Sequence, residues 1–344
     1  MSEQYNPNNS SDVPDTRSES YVWQPDYTQP SDDGVTLHGA SPLHTAPLRH
    51  VSARTFLAPL TLMVLHHVVL NVASLVHLFV FLLKNPEIKA ELLEKANDNV
   101  FLLEVMIEAD VMTFASLFGM LVLIPLYLGY LFILKKKRTP LLLVEPLAPR
   151  QAIGAMTVIL GAMGLTQLWM VLLSSLDEVT VLGRLFQEYL EKMALFDGRT
   201  STQFLELLVT VLLVPIGEEL LFRGIIQGEL RRAFKPFVSV AATTILFAVF
   251  HLDIIQGSYV LIAGFALSIV YHFTENIFVP IAMHVLFNFI GSGWLSRLIG
   301  AGETAEAAIV LVLYVFVIIG AIGLVILRND HKNKINASSD RMVI

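Results

Sequence analysis

Apolar residues along this chain gather into long runs that are separated by short polar connections. A helix needs about 20 apolar residues to cross the hydrocarbon core of a bilayer. Eight runs approach or reach that length, at about 56–83, 111–134, 152–173, 204–233, 237–252, 257–273, 280–298 and 307–327. Helices are favoured in such runs because the bilayer core contains no water to bond the backbone N–H and C=O groups, and a helix satisfies these groups within the segment. The pattern predicts an all-α fold, a polytopic transmembrane helical bundle of about eight spans.

The polar segments predict how the chain is divided. Two connections, 84–107 and 176–203, alternate charge with leucine, which is typical of amphipathic helices at a membrane surface. The first fifty residues are rich in Ser, Asp, Pro and Asn and predict a disordered tail. We expect four parts: a disordered cytoplasmic tail (1–50), N-terminal transmembrane helices with interfacial segments (51–200), a set of core helices (201–328) and a cytoplasmic C-terminal tail (329–344).

Composition supports the membrane class and excludes several kinds of site. Apolar residues make up 54% of the chain and charged residues only 15%, whereas soluble domains carry about 25% charge. Cysteine is absent, which excludes disulfides, thiolate metal sites and cysteine nucleophiles. The chain has no phosphate-binding loop, nucleotide fingerprint or basic nucleic-acid patch. We therefore expect the lipid bilayer, and no nucleic acid, as a partner.

Basic residues predict the orientation. Eight spans place both termini on one side, and Lys and Arg concentrate in the cytoplasmic connections of membrane proteins. Fourteen fall on the side of the termini: Arg49, Arg54, Lys135, Lys136, Lys137, Arg138, Arg150, Arg231, Arg232, Lys235, Arg328, Lys332, Lys334 and Arg341. Seven fall on the other side: Lys84, Lys89, Lys95, Arg184, Lys192, Arg199 and Arg297. We expect an integral protein of the cytoplasmic membrane with both termini in the cytoplasm.

The fourth run is apolar over 204–226, continues to about 233 and contains charged residues. Glu218, Glu219 and Arg223 lie in its middle, where each charge costs about 2.5–3.5 kcal/mol on insertion scales. Glu219 and Arg223 are i,i+4 neighbours on a helix, while Glu218 points about 100° away from Glu219. We expect Arg223 to hold Glu219 and to leave Glu218 available for chemistry. A structural salt bridge alone would need only one carboxylate.

A histidine in the next run is expected at the depth of Glu218. Glu218 lies 17 residues before Lys235, where a turn is predicted, and His251 lies 16 residues after it. Two antiparallel helices that meet at this turn would bring the two side chains together. A carboxylate beside an imidazole can perform general acid–base catalysis.

Two further polar residues, His284 and Asn288, are i,i+4 neighbours in the seventh run and share a helix face. Hydrogen bonding between helices explains such a pair as readily as catalysis does. His284 follows Pro280 closely, so counting along the helix places it nearer the cytoplasmic face than His251. The segment Asp253–Ser258, or an irregular start of the seventh helix, would have to correct that depth.

The first run carries a similar pair, His67 and Asn71. Their i,i+4 spacing predicts that both point into the bundle as polar contacts between helices. A zinc site there is the less favoured alternative.

Three motifs in the later runs resemble those of a known family. EELLFR at 218–223, FAVFH at 247–251 and HVLFN at 284–288 are similar to the EExxxR, FxxxH and HxxxN motifs of the CAAX protease and bacteriocin-processing (CPBP, or Abi) family. They occur in family order, and the resemblance covers about residues 203–290. It implies an intramembrane endopeptidase similar to the type II CAAX prenyl endopeptidases, with 201–328 as its catalytic core.

The resemblance also implies roles for the motif residues. Glu218 would activate the attacking water with help from His251, and His284 and Asn288 would stabilise the oxyanion. The substrate would be a peptide or protein in or at the membrane. Whether it is prenylated stays open.

Glu219 and Arg223 would shape the site. The family has also been interpreted as zinc metalloproteases, in which Glu218, His251 and His284 would be metal ligands with an open fourth position. The chain lacks HExxH spacing, and Asn is a poor zinc ligand. We therefore expect no cofactor, with zinc as the alternative.

Two other functions fit buried ionisable residues in a membrane protein. An ion-coupled transporter would use them as a proton relay, but repeated halves with paired broken helices, which mark many transporters, are not visible here. A non-catalytic membrane partner would not need Glu218 or His251, and both are present.

Overall fold

The computed structural model describes residues 51, 53–95, 97–136, 141–196 and 202–342. The predicted disordered tail, 1–50, lies outside this part of the chain. The helices are α1 (Ala53–Lys84), α2 (Pro86–Glu94), α3 (Asn99–Glu108), α4 (Val111–Lys136), α5 (Pro149–Ser174), α6 (Val181–Phe196), α7 (203–233), α8 (Pro236–Phe250), α9 (Ile254–Thr274), α10 (Phe278–Gly291), α11 (Trp294–Ile299) and α12 (Glu303–Met342).

The fold is an all-α polytopic bundle, as predicted. Within the described part of the chain, five helices, α1, α4, α5, α9 and α12, are long and apolar enough to cross a membrane. Helices α8 and α10 are apolar but shorter, with 15 and 14 residues. Helix α7 contains the charged stretch. These eight helices correspond to the eight predicted runs.

Three predicted boundaries were wrong. The seventh run does not form one helix, because α10 ends at Gly291 and Gly293, with φ of 75°, turns the chain before α11. The segment 84–107 forms two helices, because the Asp98 side chain accepts two backbone N–H bonds and starts α3 anew. Helix α12 does not stop near 327 but continues to Met342.

Contacts between helix termini define two ends of the bundle. At the end that we call the base, α7 turns into α8 and α12 finishes. Arg150 at the start of α5 binds Asp330 late in α12. Lys334 Nζ lies 3.2 Å from Glu145 and 3.0 Å from Glu275. The start of α5 and the turn before α10 therefore gather with the end of α12, and Pro236 at the start of α8 lines a small cavity together with Glu275.

The opposite end, which we call the mouth, joins a different set of termini. Trp169, near the end of α5, donates to Ser258 near the start of α9 at 2.8 Å. Thr202, just before α7, donates to Asp110, just before α4. Helices α4, α7 and α9 therefore begin at the mouth, and α5 ends there.

The long helix α12 packs closely on α5 through glycines. A Cβ added to Gly161 would lie 2.6 Å from the Phe316 carbonyl oxygen, and one added to Gly320 would lie 2.7 Å from the Thr157 carbonyl oxygen. The obstructing atoms are backbone, so they cannot move aside as a side chain can. Because glycine has no side chain, α5 and α12 can approach each other closely at these two positions.

We expect Gly161→Ala to lower the free energy of unfolding by about 1–3 kcal/mol, the usual cost of overpacking. Gly129→Ala is the matched control. Gly129 is an exposed helix position with no atom within 4 Å of the added Cβ, and Ala is favoured over Gly in a helix by up to about 1 kcal/mol. Thermal unfolding in detergent compares the two variants. Equal melting temperatures would contradict the close packing of α5 on α12.

The prediction for the first span is correct for His67, which is half-buried with its ring centre 4.3 Å from that of Phe250 on α8, and wrong for Asn71. Asn71 is exposed and donates to the His67 carbonyl of its own helix. The buried residue is His66, whose Nδ1 is hydrogen-bonded to the Tyr127 hydroxyl at 2.9 Å. The face of α1 that carries His66 packs on α4, and this rotates Asn71 outward.

Candidate active site

Helix α7 changes its winding twice around the charged stretch. Leu208–Leu213 and Leu220–Ile226 form π-helical turns on either side of an α-helical segment, Val214–Glu219. Such turns are frequent at functional sites because they alter which side chains share a face.

The first π-helical turn leaves one carbonyl without its helical partner. The Val214 N–H donates to the Val209 carbonyl, five residues back. In the same register the next donor would be Pro215, which has no N–H. The Asn288 side chain fills that role, since its Nδ2 donates to the Thr210 carbonyl at 2.9 Å. This bond fixes α10 against the irregular part of α7.

Glu219 and Arg223 form the buried pair that the sequence predicted. Arg223 Nη1 lies 2.8 Å from Glu219 Oε1, and both side chains are 0% exposed. Arg223 Nη2 donates to the Gly264 carbonyl on α9 at 3.0 Å. Its guanidinium carbon lies 4.5 Å from the centre of the Phe247 ring on α8. One arginine thus connects α7 with α8 and α9.

The polar face of α7 continues one turn further toward the base. Gln227 is buried, and its Nε2 donates to the Ser268 carbonyl on α9 at 2.9 Å. Ser239 on α8 donates to the Gln227 carbonyl at 3.3 Å. These bonds fix the rotation of α7 about its own axis. Glu218 lies on a different face of α7 from Gln227.

His284 lies between the two glutamates. Its Nδ1 is 2.7 Å from Glu219 Oε1, and its Nε2 is 3.8 Å from Glu218 Oε2. A carboxylate only accepts hydrogen bonds, so Nδ1 carries the hydrogen in this contact. Glu219 therefore orients the ring and leaves Nε2 directed toward Glu218.

The depth of His284 follows from where α10 begins. Glu275 and Asn276, in the turn before α10, are buried. Asn276 pairs with Val144 in an isolated antiparallel bridge, and the Ile277 N–H donates to the Leu143 carbonyl at 3.0 Å. The turn is thus covered by the segment before α5, and His284, six residues into α10, reaches Glu219.

His251 follows directly after the last residue of α8. Its Nδ1 donates to the Phe247 carbonyl at 2.8 Å, which leaves Nε2 for other partners. His251 lies 15 residues from the start of α8, about 22 Å along a regular helix, and Glu218 lies 15 residues from the end of α7, a stretch that includes the π-helical turn Leu220–Ile226. The predicted hairpin geometry is present.

Both residues line one cavity of about 490 Å³. His284 and Asn288 line it as well. Glu219 and Arg223 do not, and they support the site from behind. The cavity therefore brings together four of the six candidate residues. Part of its remaining wall is apolar and flexible, formed by Met106, Met112 and Met193.

Phe247 was not identified as a site residue from the sequence, although it is the first residue of the FAVFH motif. Its ring centre lies 5.0 Å from that of His251 and 5.9 Å from that of His284. A Cβ at Gly264 would lie 2.8 Å from Phe247 Cδ1, so glycine at this position makes room for the ring. The i,i−4 spacing to His251 was the available signal.

The three residues proposed as zinc ligands, Glu218, His251 and His284, all line the cavity. Among the described residues, no group of three His, Asp or Glu side chains is placed to hold a metal ion. His284 Nδ1 is engaged by Glu219 and His251 Nδ1 by a backbone carbonyl, contacts that metal-bound histidines also make through their second ring nitrogen.

No curated protein and no solved structure matches the chain significantly. One family model does match, and the matched segment contains α7, α8, α9 and most of α10 with all six candidate residues. This match supports a membrane protease. It confirms the resemblance predicted from the three motifs: residues 200–290 match the family described as type II CAAX prenyl endopeptidase Rce1-like.

Proposed function

We propose that this protein is an intramembrane endopeptidase of the CAAX protease and bacteriocin-processing type. The observation that carries the proposal is the position of Glu218, whose carboxylate reaches the cavity 3.8 Å from His284 Nε2. Its neighbour Glu219 is neutralised by Arg223 and leaves Glu218 as the carboxylate available to a ligand. The substrate is a peptide or protein in or at the membrane.

Glu218 acts as the general base, with His251 as the second partner of the attacking water. The water oxygen bonds to the carbonyl carbon of the scissile peptide as one of its protons passes to the Glu218 carboxylate. When the tetrahedral intermediate collapses, the carbon–nitrogen bond breaks and that proton passes to the leaving amine. A carboxylate and an imidazole on one cavity wall suit this sequence.

His284 and Asn288 stabilise the oxyanion of the intermediate. One Asn288 N–H is used by the Thr210 carbonyl, and the amide has a second N–H to donate. His284 donates through Nε2 when that nitrogen carries a hydrogen, since Nδ1 is held by Glu219. Donors fixed in this way need little rearrangement during the reaction, which makes them effective.

The proposal includes no metal ion, and a chelator separates it from the zinc alternative. We expect a strong chelator to leave the rate of peptide cleavage unchanged, because water is activated by Glu218 and His251. Cleavage of a membrane-peptide library by the purified protein, followed by mass spectrometry, provides the rate. Stoichiometric zinc that is lost together with activity, and restored with it, would contradict the proposal.

We propose the cytoplasmic membrane as the location, with both termini in the cytoplasm. The twofold excess of Lys and Arg on the side of the termini supports this orientation. A transporter would show solute-dependent ion flux in liposomes and no peptide cleavage, so the same purified protein tests that alternative.

A further inference from the structure

The described residues that line the cavity lie toward one end of the bundle. Among its described lining residues, α4 contributes positions 111–116, at its start, and α7 contributes positions 206–218, in its first half. Helix α8 contributes its last turn and His251, which follows it. Each of these segments lies at or toward the mouth. The described lining includes no residue from the end of α4, the end of α7 or α12.

The base carries the basic residues. Of the fourteen Lys and Arg counted on the side of the termini, the eleven that the structure describes all flank or belong to helix ends found at the base. The chain enters there as well, since Phe56 at the start of α1 contacts Phe234 in the α7–α8 turn with ring centres 6.1 Å apart. Because Lys and Arg mark cytoplasmic connections, the base is the cytoplasmic end.

The mouth has the opposite charge. Its connections and helix starts contain seven Lys and Arg but sixteen Asp and Glu, counted along the sequence. The acidic residues are Glu87, Glu91, Glu94, Asp98, Glu104, Glu108, Asp110, Asp177, Glu178, Glu188, Glu191, Asp197, Glu206, Asp253, Glu303 and Glu306. Acidic residues contribute little to orientation, but they set the potential that an approaching peptide meets.

We infer that the cavity opens to the extracytoplasmic side, so that the site receives peptide segments presented on the side opposite to the termini. The identity of the ligand as a substrate rests on the proposed function, whereas the side of opening does not. The net negative charge of the mouth disfavours acidic segments there. The substrate class is thus a membrane-associated peptide whose cleavage site is exposed outside the cytoplasm and whose flank is neutral or basic.

The cleavage site of such a peptide lies below the outer face of the bilayer. Helix α8 is 15 residues long and spans about 22 Å, whereas the hydrocarbon core is about 30 Å thick. His251 at its end is therefore about 8 Å below the outer boundary when the start of α8 lies at the inner one. A substrate must enter by one to two helical turns to reach Glu218 and His251.

Single-cysteine labelling tests the side of opening, since the chain contains no cysteine. Val179, between α5 and α6 at the mouth, is 90% exposed, and Asn333, at the base, is also exposed. Both are uncharged, so V179C and N333C keep the charge pattern. We expect a membrane-impermeant maleimide to label V179C in intact cells and N333C only after permeabilisation. Labelling of N333C but not V179C in intact cells would overturn the inference.

Vesicles of known orientation then connect the side of opening with catalysis. A neutral test peptide added to the outside should be cleaved by right-side-out vesicles and not by inside-out vesicles. Cleavage only in inside-out vesicles would overturn the inference and leave the peptidase standing. If V179C labels from outside and neither vesicle type cleaves any library peptide, the proposed function fails and the side of opening stands.

Discussion

Replacing Glu218 with glutamine is expected to lower kcat for peptide cleavage by about 10²–10⁴-fold, the usual contribution of a general base. The amide has nearly the same shape but cannot take the proton from water. Glu218 lies at the cavity wall and has no arginine partner of its own, unlike Glu219. Folding should therefore change little. Single-turnover cleavage by purified protein measures the effect, with melting temperature as the check on folding.

Glu108→Gln is the matched control for this variant. Glu108 ends α3 near the mouth and is exposed, so the substitution removes the same charge without touching the cavity. We expect its rate to equal that of the unmodified protein. A Glu218→Gln protein that keeps its rate within tenfold would eliminate Glu218 as the base.

Arg223→Ala is expected to have the largest effect on stability. It leaves the Glu219 carboxylate buried without its cation, and breaking a buried pair costs about 3–5 kcal/mol. It also removes the contacts of Arg223 with the Gly264 carbonyl and the Phe247 ring. The melting temperature in detergent should fall far below that of Glu218→Gln.

The double variant Arg223→Ala with Glu219→Gln shows whether the orphaned charge is the cause. Neutralising Glu219 should recover part of the lost stability, because the buried group is then an amide. Single variants and the double variant together form a cycle. Equal melting temperatures for Arg223→Ala and the unmodified protein would mean that the pair contributes nothing.

Much of the fold could be predicted because membrane helices follow local rules. Long apolar runs predicted the eight helices, and the i,i+4 rule predicted the Glu219–Arg223 pair. The hairpin count predicted that Glu218 and His251 lie at one depth, and both line the same cavity although α7 contains a π-helical turn between Glu218 and Lys235. Three motifs in order indicated the family segment that the family model also matches.

The remaining features depend on tertiary contacts, which the periodicity of apolar residues along the sequence does not predict. The contact of His284 with both glutamates requires a turn covered by the segment before α5. The bond from Asn288 to Thr210 requires a π-helical turn, which no local propensity indicates. His66 was missed because its burial is decided by how α1 rotates against α4.

The most direct test of the central claim is peptide hydrolysis by purified protein in water labelled with heavy oxygen. If Glu218 activates water to attack a peptide bond, fragments of a membrane-peptide library will appear whose new carboxyl group carries one labelled oxygen. The Glu218→Gln protein will form them at least about a hundredfold more slowly. Absence of labelled fragments from correctly folded protein, or their equal formation by Glu218→Gln, would contradict the account.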